Sequence, residues 1–155
     1  MMGFVVGEND NNRIKLLLED ILDILIQSDK LLLKRLNQGN GITIGYNRNR
    51  ATNPSVSIHA GKIHLPYPAR VDVLILVTTK GVGDDEQMED LIDATSAVYD
   101  ELTSSSNRRT SHSWVLVTDD IRWIPIEVDT IPGTASSIRK AYQLILTYQW
   151  GGSYD

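Results

Sequence analysis

The sequence predicts an α+β domain in which a mostly antiparallel sheet is flanked by a long N-terminal helix and a second helix. Two stretches repeat apolar residues at helical spacing, and six shorter segments alternate apolar and polar residues as strands do. Only one helical segment falls between strands, whereas a doubly wound parallel sheet needs a helix between most of its strands. The 155 residues suit a single domain that spans 1–155.

The amino-acid composition and net charge argue against several classes of function. The chain has no cysteine, which excludes disulfides, thiolate metal sites and a cysteine nucleophile. A net charge of -5 argues against a protein whose main task is gripping nucleic acid, because such binding requires clustered Lys and Arg. We see no signal-peptide pattern at the start of the chain, and no apolar stretch long enough to span a bilayer, so we expect no membrane partner.

Residues 12–36 predict the N-terminal helix, because their apolar residues share one helical face. Leu16, Ile24 and Leu31 widen that face. The helix therefore either meets two surfaces, one of them on a neighbouring subunit, or is sunk deeply in its own core. Ser28 and Asp29 mark the point where an interruption of this helix is expected.

The strongest predicted strand covers residues 71–79. It is apolar on both faces, so we expect a central strand that is covered on both sides. Residues 61–68 contain two prolines and are predicted to form a loop or an edge segment. Residues 114–118 and 122–128 are predicted to form a hairpin around a turn at Asp119 and Asp120. Three further strands are predicted at residues 42–46, 56–58 and 142–150.

The second helix is predicted to begin at Asp84, which stands three residues before Gln87 in a capping-box pattern. Its early carboxylates, including Glu89 and Asp90, form a solvated acidic start that offsets the helix dipole. One apolar face is expected from Met88, Leu91, Ile92, Thr95, Val98 and Leu102.

None of the candidate phosphate-binding or metal sites in the sequence has the residue spacing that such a site requires. Gly81 and Gly83 lie between a strand and a helix, as in a phosphate-binding loop, but Glu86 stands where a glycine is needed and no Lys-Ser/Thr pair follows. His59, His64 and His112 do not have the spacing of a metal site. We therefore expect no enzyme, no cofactor and no metal. A small nucleotide-binding enzyme is the least favoured alternative.

Loops on a rigid sheet usually carry contacts, so the polar and proline-rich loops supply the candidate interface residues. Lys62, Tyr67 and Arg70 would contact a neighbouring subunit, and the arginines of the other loops would meet acidic partners. The ordinary alternative is that these charges are simply solvated. The full set is Arg48, Arg50, Lys62, Tyr67, Arg70, Arg108 and Arg109.

The order of elements resembles that of the tail terminator proteins of lambda-like, long-tailed bacteriophages. Those proteins share a helical N-terminus, a strand that begins at a proline like Pro54, and a long apolar strand like residues 71–79. A helix carrying acidic residues follows, as in residues 84–102. They end in an aromatic-rich strand that closes on a Thr-Tyr pair, like residues 142–150. The resemblance covers nearly the whole chain and involves no catalytic motif.

The resemblance implies a structural virion protein at the junction of tail and neck, made in the host cytoplasm. Its subunits would form a hexameric ring that caps the tail tube protein, ends tail elongation and joins the tail to the head-neck connector protein. DNA would pass through the ring without specific binding. The longer N-terminal helix and the proline-rich residues 62–70 depart from the family pattern. They leave open a related neck or head-tail joining protein, which would act in tail completion.

Overall fold

The computed structural model describes the backbone of residues 5–45, 54–66, 68–78, 84–118, 124–128 and 139–151. Side chains are described for residues 13–45, 54–66, 68–78, 88–118 and 141–151. Within these ranges the fold is α+β, as predicted. Its elements are α1 (Val5–Ile26), α2 (Leu31–Gln38), β1 (Ile42–Ile44), β2 (Ser55–His64), β3 (Arg70–Thr78), α3 (Asp84–Thr103), β4 (Trp114–Leu116), β5 (Ile124–Val128) and β6 (Arg139–Trp150).

Two helices, α1 and α2, take the place of the single long helix that the sequence predicts. The break falls at the expected position, around Ser28 and Asp29. The buried Ser28 hydroxyl accepts the backbone N–H of Lys30 at 3.1 Å and donates to the carboxylate of Glu101. Because these bonds satisfy the chain outside the helical pattern, they favour a corner at this point.

The wide apolar face of these helices packs mainly against the core of the same chain. Ile24 and Leu32 are partly buried against the same core that contains Leu17, Ile21 and Leu25. Leu31 is the exception, with 64% of its surface exposed. No helix in the described part of the chain is both long and apolar enough to cross a membrane.

The sheet has the order β1-β2-β3-β6-β4, and β5 also pairs with β6. The β1–β2 pair is parallel, and the other pairs are antiparallel. Strand β3 is central, as predicted, because β2 lies on one side of it and β6 on the other. The apolar alternation of β6 sets its register, with Leu144 opposite Ile75 and Tyr148 opposite Val71.

The predicted hairpin around Asp119 and Asp120 is wrong. Strands β4 and β5 do not pair with each other; both run antiparallel to β6, β4 along its end and β5 along its beginning. They therefore follow one edge in the same direction, as two pieces of an interrupted strand. Twelve residues of β6, at about 3.3 Å each, give an edge long enough for both. Asp119 and Asp120 themselves lie outside the described residues.

The expectation that both faces of β3 are covered is also wrong for the described residues. Helices α1 and α3 pack on the face that carries Val71, Val73, Ile75 and Val77, all fully buried. On the opposite face Leu74 and Leu76 are partly exposed.

Residues 61–64 form an edge segment, one of the two predicted forms: they continue β2 as far as His64 and, within the described residues, pair there with β3 but not with β1. A bulge between Ala60 and Ile63 shifts the register by one residue against β3. The prolines do not prevent this pairing, because Pro66 and Pro68 follow the end of the strand. The bulge bends the strand locally and presents Lys62 at the surface.

Candidate assembly surfaces

Three of the predicted interface residues lie close together at one end of the sheet. The register places Arg70 of β3 opposite Gln149 of β6, and Gln149 opposite Val115 of β4. Val115 in turn forms a bridge with Arg109. Lys62 lies in the bulge of β2, two residues before His64, which is the residue opposite Arg70. We call Lys62, Arg70 and Arg109 the basic row.

The basic row is exposed, and hydrogen bonds hold its strands in place. Arg70 Nε donates to Gln149 Oε1 at 3.0 Å, and Thr147 donates to Asp72 at 2.8 Å one row further along. The guanidinium of Arg109 lies beside Gly151, where an added Cβ would stand 3.5 Å from Nη2. The same Cβ would stand 3.1 Å from Val115 Cγ2 and 3.3 Å from the Ser113 carbonyl oxygen, so larger side chains at position 151 would crowd Val115 and Ser113 rather than Arg109.

One exposed apolar side chain lies beside the basic row. Leu65, which is 53% exposed, directly follows His64, and His64 lies opposite Arg70. Ile63 is 42% exposed, but it lies opposite Val71 and therefore projects on the side of the sheet that carries the helices. Leu65 thus adds exposed apolar surface next to the cations.

The outward face of α3 has the opposite charge. Its inner side is formed by Leu91, Ala94, Thr95, Val98 and Leu102, all buried. Glu89, Asp93 and Asp100 lie on the opposite side, and all three are exposed. We call these three carboxylates the acidic stripe. Ile92, which the sequence assigns to the buried face, lies beside the stripe with 41% of its surface exposed.

The sheet face away from the helices, the open face, is the third surface. Leu74 lies opposite Ile145 of β6 and opposite His59 of β2, and all three are partly exposed. Leu76 extends this patch on the side of Ser57. Partial burial lowers the pKa of His59, which favours a neutral ring at pH 7. The ring lies 3.0 Å from Ser57 Oγ.

A polar cleft of about 550 Å³ lies between the end of α1 and the loop that follows α3. Its core is a buried carboxylate, Asp20, which the sequence analysis did not single out. Asp20 Oδ2 accepts the backbone N–H of His112 at 3.0 Å, and Oδ1 lies 2.7 Å from His112 Nδ1. Asp20 stands three residues after Leu17 and four before Ile24, among the apolar positions of α1, and this placement could have indicated a buried polar contact.

A second set of bonds closes the cleft. Glu101 accepts from Ser28, and Asn107 Nδ2 donates both to Glu101 Oε2 and to the Glu101 carbonyl, each at 2.8 Å. No described hydroxyl hydrogen-bonds the imidazole of His112, and the described residues hold no cluster of three metal-ligating side chains. The bonds of the cleft fasten the loop that carries Arg109 to α1 and α3.

The other predicted interface residues do not join the basic row. Arg48, Arg50 and Tyr67 lie outside the described residues. Arg108 is partly buried, and its carbonyl accepts the N–H of Leu116. Its charge acts on Tyr148, which lies on the helix-covered face of β6. The glycine loop that resembles a phosphate-binding loop also lies outside the described residues.

No protein-family model matches the chain, and no curated protein matches it.

Proposed function

We propose that this chain is a structural virion protein whose subunits form a ring that caps a phage tail tube, ends tail elongation and joins the tail to the head-neck connector. The proposal combines the resemblance to tail terminators with a surface that suits assembly. In this proposal the hexameric ring acts at the tail-neck junction of the virion, without catalysis or a cofactor. DNA passes through it without specific binding.

The observation that carries the proposal is the open face. Leu74, Leu76 and Ile145 form an apolar patch on the two central strands, and the described helices all pack on the other face. Each of these side chains is partly exposed; subunits that remain monomers seldom expose large contiguous apolar patches, whereas assembly parts bury them against neighbours. The patch also lies on the most regular part of the sheet, which keeps its shape fixed for a partner.

The proposal is tested by imaging and by tube elongation. Purified chain should form rings in negative-stain electron microscopy, and it should stop the growth of tail tube protein when added to polymerising tubes. The variant Leu74→Ser/Ile145→Ser should fold but fail to assemble, because both side chains are partly exposed in the subunit. Val117→Ser, at another exposed apolar residue, serves as the matched control.

The result also separates the proposal from its nearest alternative. A chain that stays monomeric at high concentration and ignores tube ends would overturn the proposed function. Rings that bind the portal-side connector and leave tube growth unchanged would assign the chain to the head-tail joining proteins instead. The structured extension of β2 around Lys62 is the feature that favours this alternative, because it lies in the segment that departs from the family pattern.

A further inference from the structure

We infer that neighbouring copies of this chain associate through two different surfaces: the basic row of one copy binds the acidic stripe of the next. The inference rests on the proposed ring, to which it adds the residues in contact and the order in which subunits join. Leu65 beside the basic row would pack near Ile92 beside the acidic stripe.

The basic row has no counter-ion among the described residues. Lys62 and Arg109 form no ion pair there, and Arg70 is bonded to the neutral amide of Gln149. The nearest carboxylate in register, Asp72, already accepts a hydrogen bond from Thr147. The row is thus a line of exposed cations next to the exposed side chain of Leu65.

The acidic stripe is likewise unpaired within the described part of the chain. Glu89 and Asp93 stand four residues apart on one helix, a spacing at which like charges destabilise the helix. A cation from outside would relieve that repulsion. The stripe cannot reach the basic row of its own copy, because the buried side of α3 packs on the sheet and turns the stripe outward.

The two surfaces also match in length. Three strand spacings separate Arg70 from Arg109, which is about 14 Å, and Lys62 on β2 extends the row to about 19 Å. From Glu89 to Asp100 the helix rises about 16 Å. A helix of one copy can therefore lie across the strand ends of another, with its carboxylates within reach of the cations.

A second copy fits this surface better than nucleic acid does. The chain has a net charge of -5, and its own α3 carries the complementary charge beside an exposed apolar residue, Ile92. Because the two surfaces are different, the contact is heterologous. Contacts of this kind close into rings when the rotation between subunits permits, and isologous contacts give dimers.

Charge reversal tests the contact. The first variant is Lys62→Glu/Arg70→Glu and the second is Glu89→Lys/Asp93→Lys; each should weaken self-association by at least about tenfold in sedimentation velocity at low ionic strength. Lys15→Glu/Lys34→Glu makes the same charge change as the first variant on exposed helix positions. This control should sediment like the wild type.

Mixing the two variants is the decisive measurement. Copies of either variant alone repel one another, because the row and the stripe then carry the same charge. In a mixture, the acidic row of the first variant complements the basic stripe of the second. An equimolar mixture should therefore recover the wild-type oligomer, with the two variants alternating. Recovery also shows that both variants fold, and circular dichroism of each variant alone checks this independently.

The outcomes separate the two proposals, except that a monomeric wild type bears on both. Oligomers that tolerate both reversals, a mixture that stays monomeric, or a wild type that is monomeric would overturn the inference. If the first variant lost binding to duplex DNA but kept its oligomers, nucleic acid would be the occupant and the inference would also fail. Oligomers that obey the charge pattern but leave tube growth unchanged would uphold the contact and overturn the proposed function.

Discussion

At the residue scale, Asp20 shows how one buried carboxylate can position a whole loop. It is 4% exposed and receives both the backbone N–H and the ring of His112, 92 residues away. A buried carboxylate is costly unless hydrogen bonds replace its water, so the carboxylate and the loop stabilise each other. The loop continues to Arg109, so this contact also supports one member of the basic row.

We therefore expect Asp20→Ala to lower the free energy of unfolding by about 2–3 kcal/mol, because bonds to a charged acceptor are lost and a backbone donor loses its partner. His112→Ala should cost about 1 kcal/mol, since the ring is 46% exposed and the backbone bond to Asp20 remains. Urea denaturation measures both. Asp23→Ala, an exposed neighbour on α1, is the control; equal losses for Asp20 and Asp23 would contradict this account.

The buried hydroxyl of Tyr148 is the opposite case. Its hydroxyl forms no hydrogen bond within the described residues, and burial raises the pKa of Tyr148 well above its usual value of 10.0, although the charge of Arg108 opposes the shift. A folded-state pKa above the unfolded value gives stability that is present below pH 10 and lost as pH rises beyond it.

Tyr148→Phe should consequently leave stability at pH 7 unchanged or raise it by up to about 1 kcal/mol, because the unpaired hydroxyl is removed. It should also flatten the decline of stability above pH 10. Thermal denaturation between pH 7 and 11, compared with wild type, measures both effects. A loss of more than about 1 kcal/mol at pH 7 would mean that the hydroxyl has a partner.

At the element scale, the β2 bulge determines where the basic row lies. Gly61 precedes the extra residue, and an added Cβ would stand 3.0 Å from Leu74 Cγ and 3.1 Å from the Asp72 carbonyl oxygen. The carbonyl belongs to the central strand and cannot move without disturbing its pairing. Glycine therefore lets β2 approach β3 closely enough to continue past the bulge.

Gly61→Ala should accordingly destabilise the fold by about 1–2 kcal/mol through this crowding. Lys62→Ala, the next position and an exposed one, should stay within about 0.5 kcal/mol of wild type. Urea denaturation separates the two. If Gly61→Ala were as neutral as Lys62→Ala, the close approach of the two strands would not constrain this position.

Helix α3 shows how far periodicity alone can predict an element. Four of the six residues predicted on its apolar face, Leu91, Thr95, Val98 and Leu102, are buried, and Met88 is partly buried. Ile92 is exposed, because its direction around the helix falls nearer to Glu89 and Asp93 than to the buried side. One apolar residue at the border of a stripe can face either way, and packing against the sheet decides which.

At the scale of the whole molecule, opposite charges lie on different sides of a single subunit. The acidic stripe faces away from the sheet, and the basic row follows the strand ends. In the proposed assembly this distribution would steer copies into a head-to-tail order, and salt would screen it over about 10 Å at 0.1 M ionic strength. Association should then depend on salt more strongly than it would if burial of the apolar patch alone held the copies together.

We expect the self-association constant to fall by about tenfold or more between low and roughly 0.5 M NaCl, because exposed charge pairs are screened. Sedimentation equilibrium over a salt series measures this fall. Lithium or potassium chloride should give the same result as sodium chloride at equal ionic strength. Association that strengthens with salt would indicate that the apolar open face alone holds the copies together.

The sequence by itself determined the α+β class, the central position of β3, the corner near Ser28 and the closing strand β6, because each depends on local periodicity or on the preference of one residue. Only the tertiary structure decided that β4 and β5 share one edge of β6, that the described helices cover only one face of β3, and that Asp20 meets His112. These features depend on which segments meet across long separations in the chain. For the same reason, Lys62, Arg70 and Arg109 were predicted as separate loop charges, and the strand register alone brought them together in one row.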